Sequence, residues 1–364
     1  MSSDARVHAV DLLRVELPFV RPFRTSFGTE ANKDAILVRS VDPDGLSGWG
    51  ECVAMGSPRY SGEWTRGAWL VLRDFLVPAA LKGSPSGIRG HPMAKAALEA
   101  SLLDLDLRQR GVSLSAHLGG VRDRVDCGVS LGIEDDTDVL LGEVRRFVEA
   151  GYRRIKLKIE PGHDVDTVRE VRTAFPHVAL TVDANAAYHP DDADRLRRLD
   201  EFALEYVEQP LGKDELLAHA DLQRQMTTPV CLDETITSAT TAADAIRLDA
   251  CRVINIKPGR VGGIRETVRI HDVAQSAGIP VWCGGMLETG IGRAMNLAVA
   301  SLPNFTLPGD TSGSDRYFAR DITEPFVVES DGTMAVPQGP GIGVDPLRDA
   351  LDEFTVERLT INRY

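Results

Sequence analysis

Several features are scarce in this chain of 364 residues, and each scarcity closes off a class of function. No apolar run approaches the ~18 residues that a membrane-crossing helix needs. The start, Met1-Ser2-Ser3-Asp4-Ala5-Arg6, has no apolar signal-peptide core. Positive charge is in deficit, with 41 Lys and Arg against 54 Asp and Glu and a formal net charge of −13. A nucleic-acid or anionic-membrane partner would call for a basic patch, so neither is expected. Cysteine is limited to Cys52, Cys127, Cys231, Cys251 and Cys283, an odd number, several of them inside apolar strand-like runs. These read as reduced, buried thiols of a cytoplasmic protein. No CxxC or HxxxH spacing suggests zinc. The glycines of Pro258–Gly263 follow a strand but do not spell GxGxxG, which disfavours nucleotide binding.

What is present is an ordinary globular composition, 43% hydrophobic and 26% charged, in a chain too long for one core. It can hold a barrel of about 200 to 250 residues and a second domain. Five short segments each end an apolar run on an ionisable group: Ile155–Lys158, Leu180–Asp183, Tyr206–Glu208, Cys231–Asp233 and Val253–Lys257. The terminal positions 158, 183, 208, 233 and 257 are separated by steps of 25, 25, 25 and 24. One strand, one helix and two short loops sum to roughly that period. A constant step places the carboxyl ends of successive parallel strands in register, and in a closed barrel those ends share one face.

The expected fold class is therefore α/β, a modified (β/α)7β TIM-type barrel with an α+β capping domain. The boundaries read as 1–122 for the cap, 123–325 for the barrel and 326–364 for a C-terminal segment returning to the cap. Within the cap, strands over 7–17 and 35–41 are expected to flank a loop at Pro22–Gly28, followed by helices over 64–81 and 93–110. The barrel strands begin near 127–133, and Phe305–Leu307 is the candidate for the eighth.

An acid at a strand's end is often only the N-cap of the next helix. Three at matched positions, Asp183, Glu208 and Asp233, are harder to dismiss, because crowded like charges raise one another's pKa unless a cation intervenes. An all-oxygen set suits Mg²⁺, with Mn²⁺ the alternative. Glu234, one residue on, is expected to point to the other side of its strand. Lys156 and Lys158, two apart on one strand, both face the interior. Two neighbouring ammonium groups beside a dication disfavour each other's protonation, which tunes a lysine towards general-base work. Lys257 approaches from the opposite side. That pairing suits removal of a proton alpha to a metal-bound carboxylate.

The set Lys156-x-Lys158, Asp183-Ala184-Asn185, Glu208-Gln209-Pro210, Asp233-Glu234 and Asn255-x-Lys257-Pro258 resembles the enolase superfamily in its muconate-lactonising subgroup. Pro22–Gly28, Arg154–Gly162, Ile256–Gly263 and Trp282–Gly290 resemble the o-succinylbenzoate synthases that overlap with N-acylamino acid racemases. The likeness runs nearly end to end, although the stretch Gly83–Gly90 is shorter than the family's usual segment. It implies Mg²⁺ on Asp183, Glu208 and Asp233, and Lys158 with Lys257 as the catalytic pair, assisted by Lys156. Phe23, Phe27, Met55 and Tyr60 match cap positions that face substrate, and Ser130, Asn185, Gly285 and Met286 match barrel positions. The implied activity is dehydration in menaquinone biosynthesis, or N-succinylamino acid racemisation, on a small-molecule carboxylate by a homo-oligomer. Two other readings stand beside it. One is a barrel whose acidic ring binds metal only for stability. The other is dipeptide epimerisation, with Asp310 and Asp315 as amine-recognising acids.

Overall fold

In the computed structural model, which describes residues 7–26, 28–84 and 87–363, the chain opens with a long antiparallel hairpin. Its arms are β1 (Ala9–Thr25) and β2 (Gly28–Val41). Apolar side chains alternate so completely that both faces are buried. Val10, Leu12, Ile36 and Val38 pack into one cluster, while Leu13, Val15, Leu17 and Leu37 pack into another. Pairing runs from Ala9 opposite Val41 to Pro18 opposite Asn32, breaks, and resumes from Phe23 opposite Glu30 to Thr25 opposite Gly28. The expected loop at Pro22–Gly28 is therefore mostly the hairpin's tip. The ladder breaks around Pro18 and Pro22, which have no N–H to donate. Phe27 lies outside the described residues.

β3 (Ser47–Cys52) pairs with β2 and packs under the helix Pro92–Arg110. A Cβ at Gly48 would stand 2.3 Å from the Leu105 backbone nitrogen, and one at Gly50 would stand 2.1 Å from the Ala97 carbonyl. These glycines let helix and strand backbones touch. The other expected cap helix is continuous from Thr65 to Leu81, through one π-helical turn at Leu72–Leu76.

After β4 (Arg124–Asp126) come seven parallel strands: β5 (Gly128–Leu131), β6 (Arg154–Lys158), β7 (Leu180–Asp183), β8 (Val207–Glu208), β9 (Val230–Leu232), β10 (Val253–Ile256) and β11 (Val281–Cys283). They lie in sequence order. Lys158 stands opposite Asp183, and Asp183 opposite Glu208, so the constant step sets these three ends level. It does not hold further round: Glu208 pairs with Cys231 and Leu232 with Ile254, so Asp233 and Lys257 each lie beyond the level of the preceding end. Phe305–Leu307 is not a strand. Phe305 makes one bridge to Val281 and Gly309 one to Cys127, so the segment crosses from β11 to β5 by single bonds. Gly128 N–H donates to the Gly309 carbonyl (2.7 Å), and Asp310 N–H to that of Cys283 (2.9 Å). Pro303 and Pro308 remove donors that a regular eighth ladder would need.

The C-terminal stretch supplies β12 (Thr333–Ala335), paired with β4, and β13 (Thr355–Asn362), which joins the cap sheet in the order β13-β1-β2-β3. All five cysteines are buried and free. Among the described residues no helix is long and apolar enough to cross a membrane.

Candidate active site

Side chains on β6 alternate, so Arg154, Lys156 and Lys158 all project to the barrel interior. Such burial is tolerable only if each cation is paired. The Lys156 ammonium donates to Glu208 Oε2 at 2.8 Å and lies 2.9 Å from Asp310 and 3.3 Å from Asp183. Lys158 donates to Asp183 Oδ2 and Asn185 Oδ1, both at 2.6 Å. Across the barrel, Lys257 donates to Asp233 Oδ2 at 2.8 Å and to the Tyr60 hydroxyl at 3.2 Å. Arg154 donates to Asp310 Oδ1 at 2.8 Å, and Arg260 pairs with Asp233. Asn255 completes the ring by donating to Glu208 Oε1 at 2.7 Å. Gly284 leaves room for it, since a Cβ there would lie 2.2 Å from Asn255 Oδ1.

Asp183, Glu208 and Asp233 are fully buried at the ends of successive strands. Burial pushes the Asp183 carboxyl up, but Lys158 and Lys156 outweigh it and hold it below the usual range. Burial, reinforced by Asp183, raises Glu208. Lys156 sits among three acids. Burial favours its neutral form, yet Asp310, Glu208 and Asp183 prevail and hold it well above the ordinary lysine value. Lys257 is also held up: burial is outweighed by Tyr60, Glu234 and Glu208.

Glu234 does not turn away from the site. β9 ends at Leu232 and the chain enters a turn, so strand alternation no longer governs residue 234. Its Oε1 accepts from Asn185 Nδ2 at 2.9 Å, and Oε2 is buried with no hydrogen-bond partner. Asn185 thereby links Glu234 to Lys158, and its φ of 43° marks a backbone held in an unfavourable region. Asp310 and Asp315 do not form an acidic rim. Asp310 is buried and already engaged by Arg154 and Lys156, while Asp315 is exposed in a 3-10 turn.

The donor chemistry fits a hard dication, because the buried acids offer only oxygen. Among the described residues, however, no three acid, histidine or cysteine groups converge on one point as ligands would, each carboxylate being drawn to a lysine or arginine.

Above this floor lies a pocket with about 780 Å³ of non-atom space, its mouth included. Lys156, Lys158, Lys257, Ser130, Asn185, Gly285 and Met286 line it from the barrel, and Phe23, Met55 and Tyr60 from the cap. The three carboxylates lie beneath that surface. The Ser130 hydroxyl is buried without a partner. Sequence reasoning missed Phe19, Glu30, Asn32, Lys33 and Tyr317, which also line the pocket. Alternation along β2 could have found Glu30 and Asn32. Nothing local marks Tyr317, which arrives from a different part of the chain.

Comparison with known proteins gives two family matches. Residues 9–119 match the mandelate racemase / muconate lactonizing enzyme N-terminal domain, and residues 140–350 the enolase C-terminal domain-like family. An N-succinylamino acid racemase of Amycolatopsis is 54% identical, covering 98% of this chain and 99% of that protein. An o-succinylbenzoate synthase of Geobacillus stearothermophilus is 50% identical, covering 96% of each. The crystal structure of an enolase superfamily member from Listeria innocua, 37% identical, superposes with a TM-score of 0.93 over 98% of this chain and 99% of that one.

Proposed function

The chain belongs to the enolase superfamily, whose members generally use a divalent metal, and from that premise we propose that it is an o-succinylbenzoate synthase that also racemises N-succinylamino acids. The observation that carries this reading is the opposition of Lys158 and Lys257. They stand at the ends of β6 and β10, with three strands between them, and both face one pocket over a buried acidic floor. One base suffices to remove a proton alpha to a carboxylate, and a second group on the opposite face of that carbon is what racemisation adds.

We infer that Asp183, Glu208 and Asp233 hold Mg²⁺. When bound, the ion withdraws charge from the substrate carboxylate and acidifies the adjacent C–H.

In dehydration of 2-succinyl-6-hydroxy-2,4-cyclohexadiene-1-carboxylate, Lys158 takes the alpha proton. As an ammonium it then gives that proton to the departing hydroxyl, so water leaves on the same face. Lys257, held as a cation beside Asp233, stabilises the enediolate charge. Lys156 contributes a fixed positive charge, because its three acidic neighbours keep it protonated. In racemisation, Lys158 and Lys257 exchange protons with opposite faces of the same enediolate. The setting we infer is menaquinone biosynthesis in a cytoplasmic homo-oligomer.

The test is incubation with Mg²⁺ in D₂O, first with an N-succinylamino acid and then with the cyclohexadiene acid. Alpha-deuteration and dehydration are expected, both lost on chelation and restored by Mg²⁺. Absence of both would overturn the reading in favour of a metal ring that serves only stability. Lys257→Arg separates the two reactions: racemisation should be lost while dehydration is retained, and equal loss of both would contradict the separate roles.

A further inference from the structure

We propose that Lys33 and Glu51, two buried cap residues, form an interdomain latch that sets the barrel segment 284–289 and hence the pocket wall made by Gly285 and Met286. Lys33 lies on β2 and Glu51 on β3, and their side chains are 5% and 0% exposed. Their charged atoms lie 3.7 Å apart. Neither makes its main contacts within the cap. The Lys33 ammonium donates to the Met286 carbonyl at 2.8 Å, across 253 residues of sequence. Glu51 Oε2 accepts from the Thr289 hydroxyl at 2.6 Å, from Thr289 N–H at 3.1 Å and from Gly292 N–H at 3.0 Å.

Thr289 is the N-cap residue of the helix Gly290–Ala300, but its own side chain caps nothing. Glu51 supplies the missing acceptor from the other domain, where a carboxylate also meets the positive end of the helix dipole. Gly292 makes the approach feasible, since a Cβ there would lie 2.8 Å from Glu51 Oε2. A second acid, Asp321, takes the Gly290 N–H at 2.9 Å, so the helix end is held from two sides.

The segment between these anchors has reason to need them. Leu287 is held at a φ of 56°, a costly backbone region for a branched side chain. Gly285, Met286 and Leu287 all line the pocket, as does Lys33 itself. Burial pushes the Glu51 carboxyl up to about 7 against the pull of Lys33. Without its cation, the carboxylate would be a buried charge facing the acid of Glu288. Lys33 and Glu51 are positioning residues: they touch the wall, not the reacting atoms.

The test is amide hydrogen exchange across the full-length protein in Lys33→Met, Lys33→Arg and Glu51→Gln variants. Lys33→Met should raise exchange in peptides spanning 284–292 by about tenfold, with β6 to β10 unchanged, as expected for loss of one charge-assisted hydrogen bond. Lys33→Arg should return that segment to near wild-type protection. Unchanged exchange at 284–292, or a uniform rise across the whole molecule, would overturn the latch. If Lys33→Met does not fold, Glu51→Gln carries the same expectation and the same refutation. Alpha-proton exchange by the wild type tests the proposed reaction separately, so the two ideas fail independently.

Discussion

The floor and the roof of the pocket are built on opposite principles. The floor is a ring of buried charges supplied entirely by the barrel, with lysine–carboxylate contacts of 2.6 to 3.3 Å. The cap's share of the roof sets aromatic and apolar groups, Phe23 from the hairpin tip and Met55 and Tyr60 from turns, beside the polar Glu30, Asn32 and Lys33 of β2, with no closed ring of ion pairs among the described residues. Buried charges tolerate almost no displacement, because losing one partner strands the other. Apolar roofs tolerate substitution at modest cost. The floor is therefore expected to set the reaction, and the roof the substrate that reaches it.

The largest effect should come from removing the floor's proton carrier. Lys158→Ala is expected to lower both alpha-proton exchange and dehydration by at least ~10³-fold, followed by NMR in D₂O. The fold should survive, because Asp183 keeps Lys156 at 3.3 Å. Activity within tenfold of wild type would break the division at its centre. A smaller effect should follow from opening the roof. Phe23→Ala is expected to raise KM about tenfold with kcat nearly unchanged, the scale of a lost apolar contact. A fall in kcat at constant KM would mean that the roof takes part in the chemistry.

The last effect falls on stability rather than rate and probes the floor's outer support. His219 is buried, accepts from Leu211 N–H at 3.2 Å, and stands beside Gln209, whose Oε1 receives Asp233 N–H at 3.0 Å. Burial lowers its pKa from 6.5 to about 4. The unfolded chain therefore takes up the proton first as pH falls. The stability that neutral His219 contributes is present above pH 6.5 and is lost as pH falls towards 4. By linkage, moving from pH 7 to 4.5 should cost about 2 kcal/mol through this group alone. Denaturant melts of wild type and His219→Gln at both pH values measure it. An identical loss in the variant would remove His219 from the account.

The two regions also differed in how far they could be read in advance. The floor repeats at nearly constant steps, and strand alternation is a local rule, so the level placing of Lys158, Asp183 and Glu208 followed from position alone. The same rule failed at Glu234 because the strand stops two residues earlier. The roof has no period. Phe19 and Tyr317 meet over the pocket with ring centroids 6.2 Å apart, from opposite ends of the chain.

By itself the sequence determined the alternation of strand and helix, the level ends of the three strands that finish on Lys158, Asp183 and Glu208, and the acid–lysine content of the interior. Each of these depends on residues close in the chain. Only the tertiary structure decided that Asp310 is consumed by Arg154 and Lys156, that the barrel closes without an eighth strand, and that Lys33 reaches the Met286 carbonyl. Those contacts join groups with no shared periodicity. The net worth of a hydrogen bond or ion pair depends on what burial removes from around it, and burial is a property of the assembled fold.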